Sequence, residues 1–423
     1  QHMFAMFGAT ILVPILVNDY FEGEGLSVQV TLFCAGIGTL IFHVCSKFKV
    51  PAFLGSSFAF LGGYATVAPM AKDGSANLEM LPYACLGVVF AGLLYLVLAL
   101  CIKLIGVSKV MKLFPPVVTG PIIIAIGLCL APSALNNCVT CWPLAIIALA
   151  IVIFFNILGK GMTKIIPILL GVVGAYLIAL IFGNGFGVSW ITPIDTDSIA
   201  KAAWIGFPID WSQTIFGGVD YADTAKITTA LTTMIPIAIA TMMEHIGDIC
   251  AIGATVGKDY INDPGLHRTL IGDGLATAFA AAFGGPANTT YGENTGVLEL
   301  SRVYDPRVVR LAAVYAILLS FSPKVAECIG SLPASIIGGV SFMLYGMISA
   351  IGVRNVVENK VDFTKSRNLI VAAVILVSGL GFGNGITFTV AGTSITLTSL
   401  AIAAILGIAL NAILPGKDYE FDE

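Results

Sequence analysis

Pro286-Ala-Asn-Thr-Thr-Tyr-Gly-Glu-Asn-Thr-Gly296 sets one carboxylate, Glu293, among small and polar residues, between two stretches apolar enough to lie inside a membrane. In hydrocarbon such a run is expensive. Irregular backbone is tolerated at membrane depth only where protein buries it or a watery cavity borders it, and an intramembrane acid marks a functional site by default. Glu293 is therefore read as the centre of a binding site.

Composition agrees with that setting. The 423 residues are 57% hydrophobic and 11% charged, against roughly 25% charged in soluble domains. Mean hydropathy is +0.95, which indicates a polytopic membrane protein. The net charge of -4 offers no attraction to nucleic acid. Nine cysteines are scattered, mostly in apolar runs, so no disulfide framework is implied; the lone Cys138-x-x-Cys141 pair reads as two loop thiols rather than a metal or redox motif. No metal or cofactor is expected. The sequence begins at Gln1, already apolar and without methionine, so the natural N-terminus is expected upstream, and no cleavable signal is visible.

Fourteen apolar segments can be laid out, seven near 1–18, 27–46, 51–71, 81–104, 114–131, 142–158 and 165–183. Seven more lie near 224–252, 268–284, 287–300, 308–328, 333–352, 368–382 and 393–415, after a Gly-, Trp-, Asp- and Pro-bearing connection at 186–223 that reads as extramembrane or interfacial. Charge tests the layout separately. With both termini cytoplasmic, 17 of the 21 Lys and Arg fall in inside loops, and only Lys72, Lys201, Lys226 and Lys324 fall outside.

Seven spans per half oblige homologous halves to run in opposite directions, the inverted-repeat plan of many secondary transporters. Pro51-Ala-Phe-Leu-Gly-Ser-Ser-Phe58 opens span three as Pro286-Ala-Asn-Thr-Thr-Tyr-Gly-Glu293 opens span ten. A short extended segment followed by a half-helix aims free N–H groups and a positive dipole end at the midplane. Two such segments crossing as antiparallel strands make a cradle, in which Ser57-Phe58 and Gly292-Glu293 are equivalent positions. A planar, amide-like ligand suits it. In span eight, Glu244 and Asp248 share a helix face at i, i+4, and two acids buried together favour holding a proton on one of them. His245 points away from that face and reads as structural. Asp273 either braces its helix crossing or joins the proton path, and Glu299 and Arg302 are placed for an i, i+3 pair.

At these residues the sequence resembles a known family. Glu293-Asn-Thr-Gly-Val-Leu-Glu-Leu-Ser-Arg302 is similar to the signature of the nucleobase-ascorbate transporters. Gln1-His-Met-Phe-Ala-Met-Phe-Gly-Ala-Thr10, Leu54-Gly-Ser-Ser-Phe-Ala-Phe60, Asp263-Pro-Gly-Leu-His-Arg268, Asn288-Thr-Thr-Tyr-Gly-Glu-Asn294 and Leu344-Tyr-Gly346 extend the likeness along the chain, towards the family's uracil branch. The resemblance implies a core domain (1–110 and 224–330) and a gate domain (111–185 and 331–423) in a commonly dimeric protein of the bacterial cytoplasmic membrane. It implies that Glu244 and Glu293 hydrogen-bond a pyrimidine, Phe58 and Gly292 offer backbone donors, Tyr291 and Tyr345 form aromatic walls, and Ala9 and Ser57 line the pocket. Asn294 is expected to give structural support, and the paired-acid reading of span eight assigns the proton to Asp248 and Glu244, with Asp273 a further candidate. Asp248 and Asp273 depart from the uracil branch, which has histidine and asparagine there, and resemble the purine branch; Glu293 and its surroundings side with uracil. Proton-coupled uracil uptake is thus expected, with a xanthine or other purine carrier as the alternative and an anion exchanger or channel of similar fold disfavoured by the midplane acids.

Overall fold

Helices make up most of the chain, and their ends follow local chemistry. The computed structural model describes residues 1–18, 21, 25–69, 77–191, 193–383, 385–390 and 393–416, with the backbone alone at 293, 390, 393 and 394. In the first half, α1 (His2–Asn18) and α2 (Val28–Cys45) precede β1 (Leu54–Ser56), a single turn at Phe58–Phe60 and α3 (Leu61–Val67). Then come α4 (Leu81–Ile105), α5 (Pro116–Val139), α6 (Trp142–Leu158) and α7 (Pro167–Ala179). The second half runs α8 (Thr224–Met234), α9 (Ile237–Val256), α10 (Leu266–Ala282), β2 (Asn288–Thr290), α11 (Gly292–Ser301), α12 (Pro306–Ser320), α13 (Pro323–Gly330), α14 (Ala334–Glu358), α15 (Ser366–Gly381), β3 (Ile386–Val390), β4 (Thr393–Leu397) and α16 (Ser399–Ile413). Ser27, Asp223, Asp305 and Thr398 cap α2, α8, α12 and α16 with side-chain oxygens that accept first-turn N–H groups.

Among the described residues six helices are long and apolar enough to cross a membrane, or seven if the bent pair α12–α13 is one span. The outer face is apolar too: Ile157, Val377 and Ile413 are 68%, 71% and 77% exposed. Lipid, rather than water, is the solvent that tolerates them. The protein is a multi-pass membrane protein.

Two expected segments are corrected. The stretch read as one span at 308–328 turns by 87° between α12 and α13, because Ser322 precedes Pro323 and the residue before a proline is pushed out of helical geometry. The last span begins at Ser399 rather than 393; Thr393–Leu397 is a strand paired with Ile386–Val390, with Phe388 opposite Ile395. Ile386-Thr-Phe-Thr-Val390 and Ser394-Ile-Thr-Leu397 each alternate polar with apolar residues, the period of two that marks a strand. A third correction concerns charge. Glu299 lies 3.9 Å from Arg354 on α14, the ion pair described for it, and not with Arg302, whose backbone adopts a left-handed conformation at the end of α11.

Two further charged contacts at each end join segments that the alternation puts on one side. Lys49 binds Asp263 at 2.5 and 2.6 Å, and Arg310 stacks on Phe48. At the opposite end Lys226 pairs with Glu79, and Lys324 lies over Trp204 and donates to the carbonyl of Ala200. Lys72 and Lys417 lie outside the described residues.

Packing sorts the helices into two sets. In one, α2, α4, α10 and α12 lie against one another with α8 on α4; in the other, α5 packs along α14, with α6, α7, α15 and α16 around them. Glycines permit the closest approaches. A Cβ at Gly92 of α4 would stand 2.6 Å from the carbonyl oxygen of Gly274 on α10, and one at Gly352 of α14 would stand 2.6 Å from Ile124 N and 2.7 Å from Gly120 O on α5. Because those neighbours are backbone, even Gly352→Ala must push α5 and α14 apart, at about 1–3 kcal/mol. Thermal unfolding in detergent should show a lowered midpoint for Gly352→Ala and an unchanged or raised one for Gly346→Ala, on the same helix with nothing within 4 Å of the added atom.

Candidate functional site

β1 and β2 are the crossing point of the two halves. They pair antiparallel, Leu54 opposite Thr290, Gly55 opposite Thr289 and Ser56 opposite Asn288. Two further backbone bonds extend the pairing, Ser57 N–H to Ala287 O at 2.7 Å and Tyr291 N–H to Phe53 O at 3.0 Å. Flanking helices meet the outer edges: Leu54 N–H donates to Thr39 Oγ1 at 2.9 Å, Asn288 Nδ2 to Cys34 O at 3.0 Å, and Thr277 Oγ1 to Asn288 O at 2.7 Å. Gly55 has no room for a side chain, since a Cβ there would run into the Tyr291 ring and come within 2.7 Å of Thr10 Oγ1.

From this crossing two helical segments depart, one starting at Phe58 and the other at Gly292. Neither is capped by a side chain, and the first N–H groups of a helix have no partner within it; Phe58 and Gly292 both border the space between the segments. That space is a cavity of about 20 Å³ lined by Phe58, Thr289, Thr290, Tyr291 and Gly292 from the crossing, by Glu244 and Asp248 from α9, and by Ile123, Ile348 and Ile351 from α5 and α14. A water needs about 10–15 Å³ by this measure. At that size it admits about one water, and its polar side chains come from α9 and the β2 crossing, while α5 and α14 supply isoleucines.

Thr290 Oγ1 donates to Asp248 Oδ2 at 3.0 Å. Tyr291 turns its hydroxyl inward to donate to Ser56 O at 3.0 Å, with Thr10 Oγ1 3.3 Å away, so its ring is fixed at the cavity wall. Tyr345 sits behind Phe58, ring centroids 5.7 Å apart and edge to face. Ala9 and Ser57 are buried but outside the cavity lining. Asp273 is fully buried on α10 beside His245 and also off the cavity. Asn294 is buried, its Nδ2 3.5 Å from His2 O. The backbone of Glu293 forms the first turn of α11, and its side chain lies outside the described residues.

Thr290 and the three isoleucines escape a reading of sequence. The threonine's place in a polar extended run between acids was a usable signal; an isoleucine in an apolar helix carries none.

Two clefts approach the cavity from opposite ends. One, about 610 Å³, shares Ile123, Asp248, Gly292 and Ile351 with it and widens past Lys164, Glu299 and Arg354. The other, about 690 Å³, shares Phe58 and opens past Thr66, Ser133, Asn137 and Thr398. The arrangement brings two acids and two helix N-termini together at a small cavity between two clefts.

The profile of a family described as a permease family matches residues 1–388. The chain belongs to that permease family. A permease is a transporter, so the protein is not an enzyme. The permease is 41% identical over 427 residues to the uracil permease of Bacillus caldolyticus, covering 99% of this chain and 91% of that one. It is 40% identical to the uracil permease of Bacillus subtilis, covering 98% and 91%. In fold it is similar to the transmembrane domain of a cyanobacterial bicarbonate transporter, with a TM-score of 0.59 at 15% identity over 90% of this chain and 96% of that one.

The clefts can be checked by thiol chemistry. Cys250 is exposed and lines the first cleft, and Cys129 lines the second. In single-cysteine variants of the permease, a membrane-impermeant maleimide should label Cys250 and Cys129 from opposite faces of sealed vesicles, and should leave buried Cys34 and Cys85 unlabelled from either.

Proposed function

We propose that the permease takes up uracil together with a proton across the bacterial cytoplasmic membrane, by alternating access. The observation that carries this reading is the cavity itself, where Glu244 and Asp248 meet the opening turns at Phe58 and Gly292 between two clefts. Uracil presents two ring N–H donors and two carbonyl acceptors in one plane. Carboxylates accept the former and backbone N–H groups donate to the latter. Glu244 and Glu293 are assigned to the ring N–H groups, Phe58 and Gly292 to the carbonyls, Tyr291 and Tyr345 to the walls, with Ser57 and Ala9 packed around them. The names of the Bacillus relatives support uracil over the alternative, a purine such as xanthine.

In this reading fourteen spans form two inverted repeats of seven, joined by the connection at 186–223, with both termini cytoplasmic. Residues 1–110 and 224–330 are the core that carries the ligand, 111–185 and 331–423 the gate, and the functional unit is a homodimer. The isoleucine wall belongs to the gate, so the core moves past it with the ligand's hydrogen bonds intact.

Competition of labelled uracil uptake by unlabelled uracil, thymine, xanthine and hypoxanthine tests the substrate; xanthine competing better than uracil overturns it. In the purified protein, Glu244→Gln and Glu293→Gln should each abolish detectable uracil binding without loss of folded protein. The amide turns an N–H towards the ligand's own, a mismatch of about 1–3 kcal/mol for each donor left unpaired.

Asp248 is assigned the proton. Asp248→Asn should keep measurable uracil binding and lose accumulation driven by an inside-alkaline pH gradient in proteoliposomes, because a carboxamide cannot cycle a proton. Accumulation equal to that of the unmodified protein would move the proton to Glu244, Glu293 or Asp273.

A further inference from the structure

Behind the cavity stands a second titratable cluster that the reading above leaves unused. His245 is fully buried on α9, and its Nδ1 lies 3.4 Å from Thr290 Oγ1 and 3.2 Å from Asp273 Oδ2 on α10. The first contact has hydrogen-bond geometry; the second is an ion-pair distance without hydrogen-bond alignment. Thr290 also reaches Asp248 Oδ2 at 3.0 Å. One hydroxyl thus touches both the acid at the cavity and the imidazole behind it.

Access differs sharply between the ends of this chain of contacts. Asp248 borders the 610 Å³ cleft, whereas neither His245 nor Asp273 lines that cleft, the other cleft or the cavity. Of the titratable groups near the pair, Asp248 reaches it through Thr290, and Tyr95 on α4 interacts with Asp273 and with Glu244, its hydroxyl donating to Thr241 Oγ1 at 2.6 Å. From α2 comes the ring of Phe42, 6.2 Å from the imidazole, and from β2 comes Thr290.

We infer that His245 and Asp273 form a buried proton store that Asp248 loads through the Thr290 hydroxyl, an inference that rests on the proton-coupled reading above. In the loading step the Asp248 O–H bond breaks as its proton passes to Thr290 Oγ1. The original Oγ1–H bond breaks in turn, and that proton bonds to the lone pair on Nδ1 of neutral His245. Asp248 is left a carboxylate and His245 an imidazolium. The imidazolium then faces the Asp273 carboxylate at 3.2 Å. A buried carboxylate without a counter-charge is costly, so the arriving proton gains where it lands and Asp248 is freed to exchange with the cleft. Thr290 is the relay, His245 holds the proton, and Asp273 acts through His245 by facing the imidazolium.

The test uses His245→Gln and Asp273→Asn in proteoliposomes. Two activities are read: exchange of external labelled uracil for internal uracil at equal pH, which moves no net proton, and accumulation under an inside-alkaline gradient. Exchange should stay within about threefold of the unmodified protein while accumulation falls at least about tenfold and its pH profile flattens. Accumulation equal to that of the unmodified protein in both variants overturns the store. So does loss of exchange together with accumulation in both, which makes the pair a scaffold. The unmodified protein is run beside them with a protonophore. If its accumulation survives the protonophore, the proton-coupled reading fails and the store with it; if it collapses, the variants judge the store alone.

Discussion

The constraint on which the rest depends is that backbone N–H and C=O groups at membrane depth must find partners inside the protein. A helix satisfies them within itself. The two stretches that leave helical geometry at the centre of the fold, Leu54–Ser56 and Asn288–Thr290, satisfy them by pairing with each other. Neither half could hold its extended stretch alone. Their bonds to Thr39, Cys34 and Thr277 carry the pairing outward into α2 and α10, so the crossing is fixed in place by the helices packed beside it. The ends of the pairing are where unsatisfied donors reappear, and those ends are at Phe58 and Gly292. The proposed site thus lies where the backbone pairing of the two strands stops.

Acids placed near those points are read differently once their neighbours are known. Glu244 and Asp248 share a helix face with the cavity, as their spacing demands, and His245 between them is turned through the helix to the far side. There it meets Asp273, which reaches it from another helix. The polar groups therefore form two layers, one bordering the ligand space and one shielded from it, with Thr290 the described residue that touches both.

Much of this was legible in the sequence, for a physical reason: charge and polarity are costly in hydrocarbon, so each polar residue in an apolar stretch is informative. The cradle at Pro286–Gly296, the paired acids of α9 and the ends of most helices could be read that way. Signals of low contrast were lost. Threonines alternating with apolar side chains at 386–397 do not lower hydropathy enough to interrupt a span, although their period of two was a strand signal; Pro323 was likewise a visible break smoothed over by averaging. The partner of Glu299 was beyond reach, because Arg354 lies on α14, far along the chain, whereas sequence distance favours an i, i+3 neighbour. Ile123, Ile348 and Ile351 were illegible in principle, being apolar residues in apolar helices that are singled out only by what faces them.

That isoleucine wall has a mechanical meaning. Hydrogen bonds are directional and define a register, so a surface that offers them holds its partner at fixed stations and resists displacement between them. Branched hydrocarbon offers only dispersion, which is individually weak, undirected and nearly constant as one surface slides over another. The cavity thus has a gripping half and a smooth half. Under the alternating-access reading proposed above, the smooth half would serve as a bearing, a surface over which the polar half slides without a preferred station.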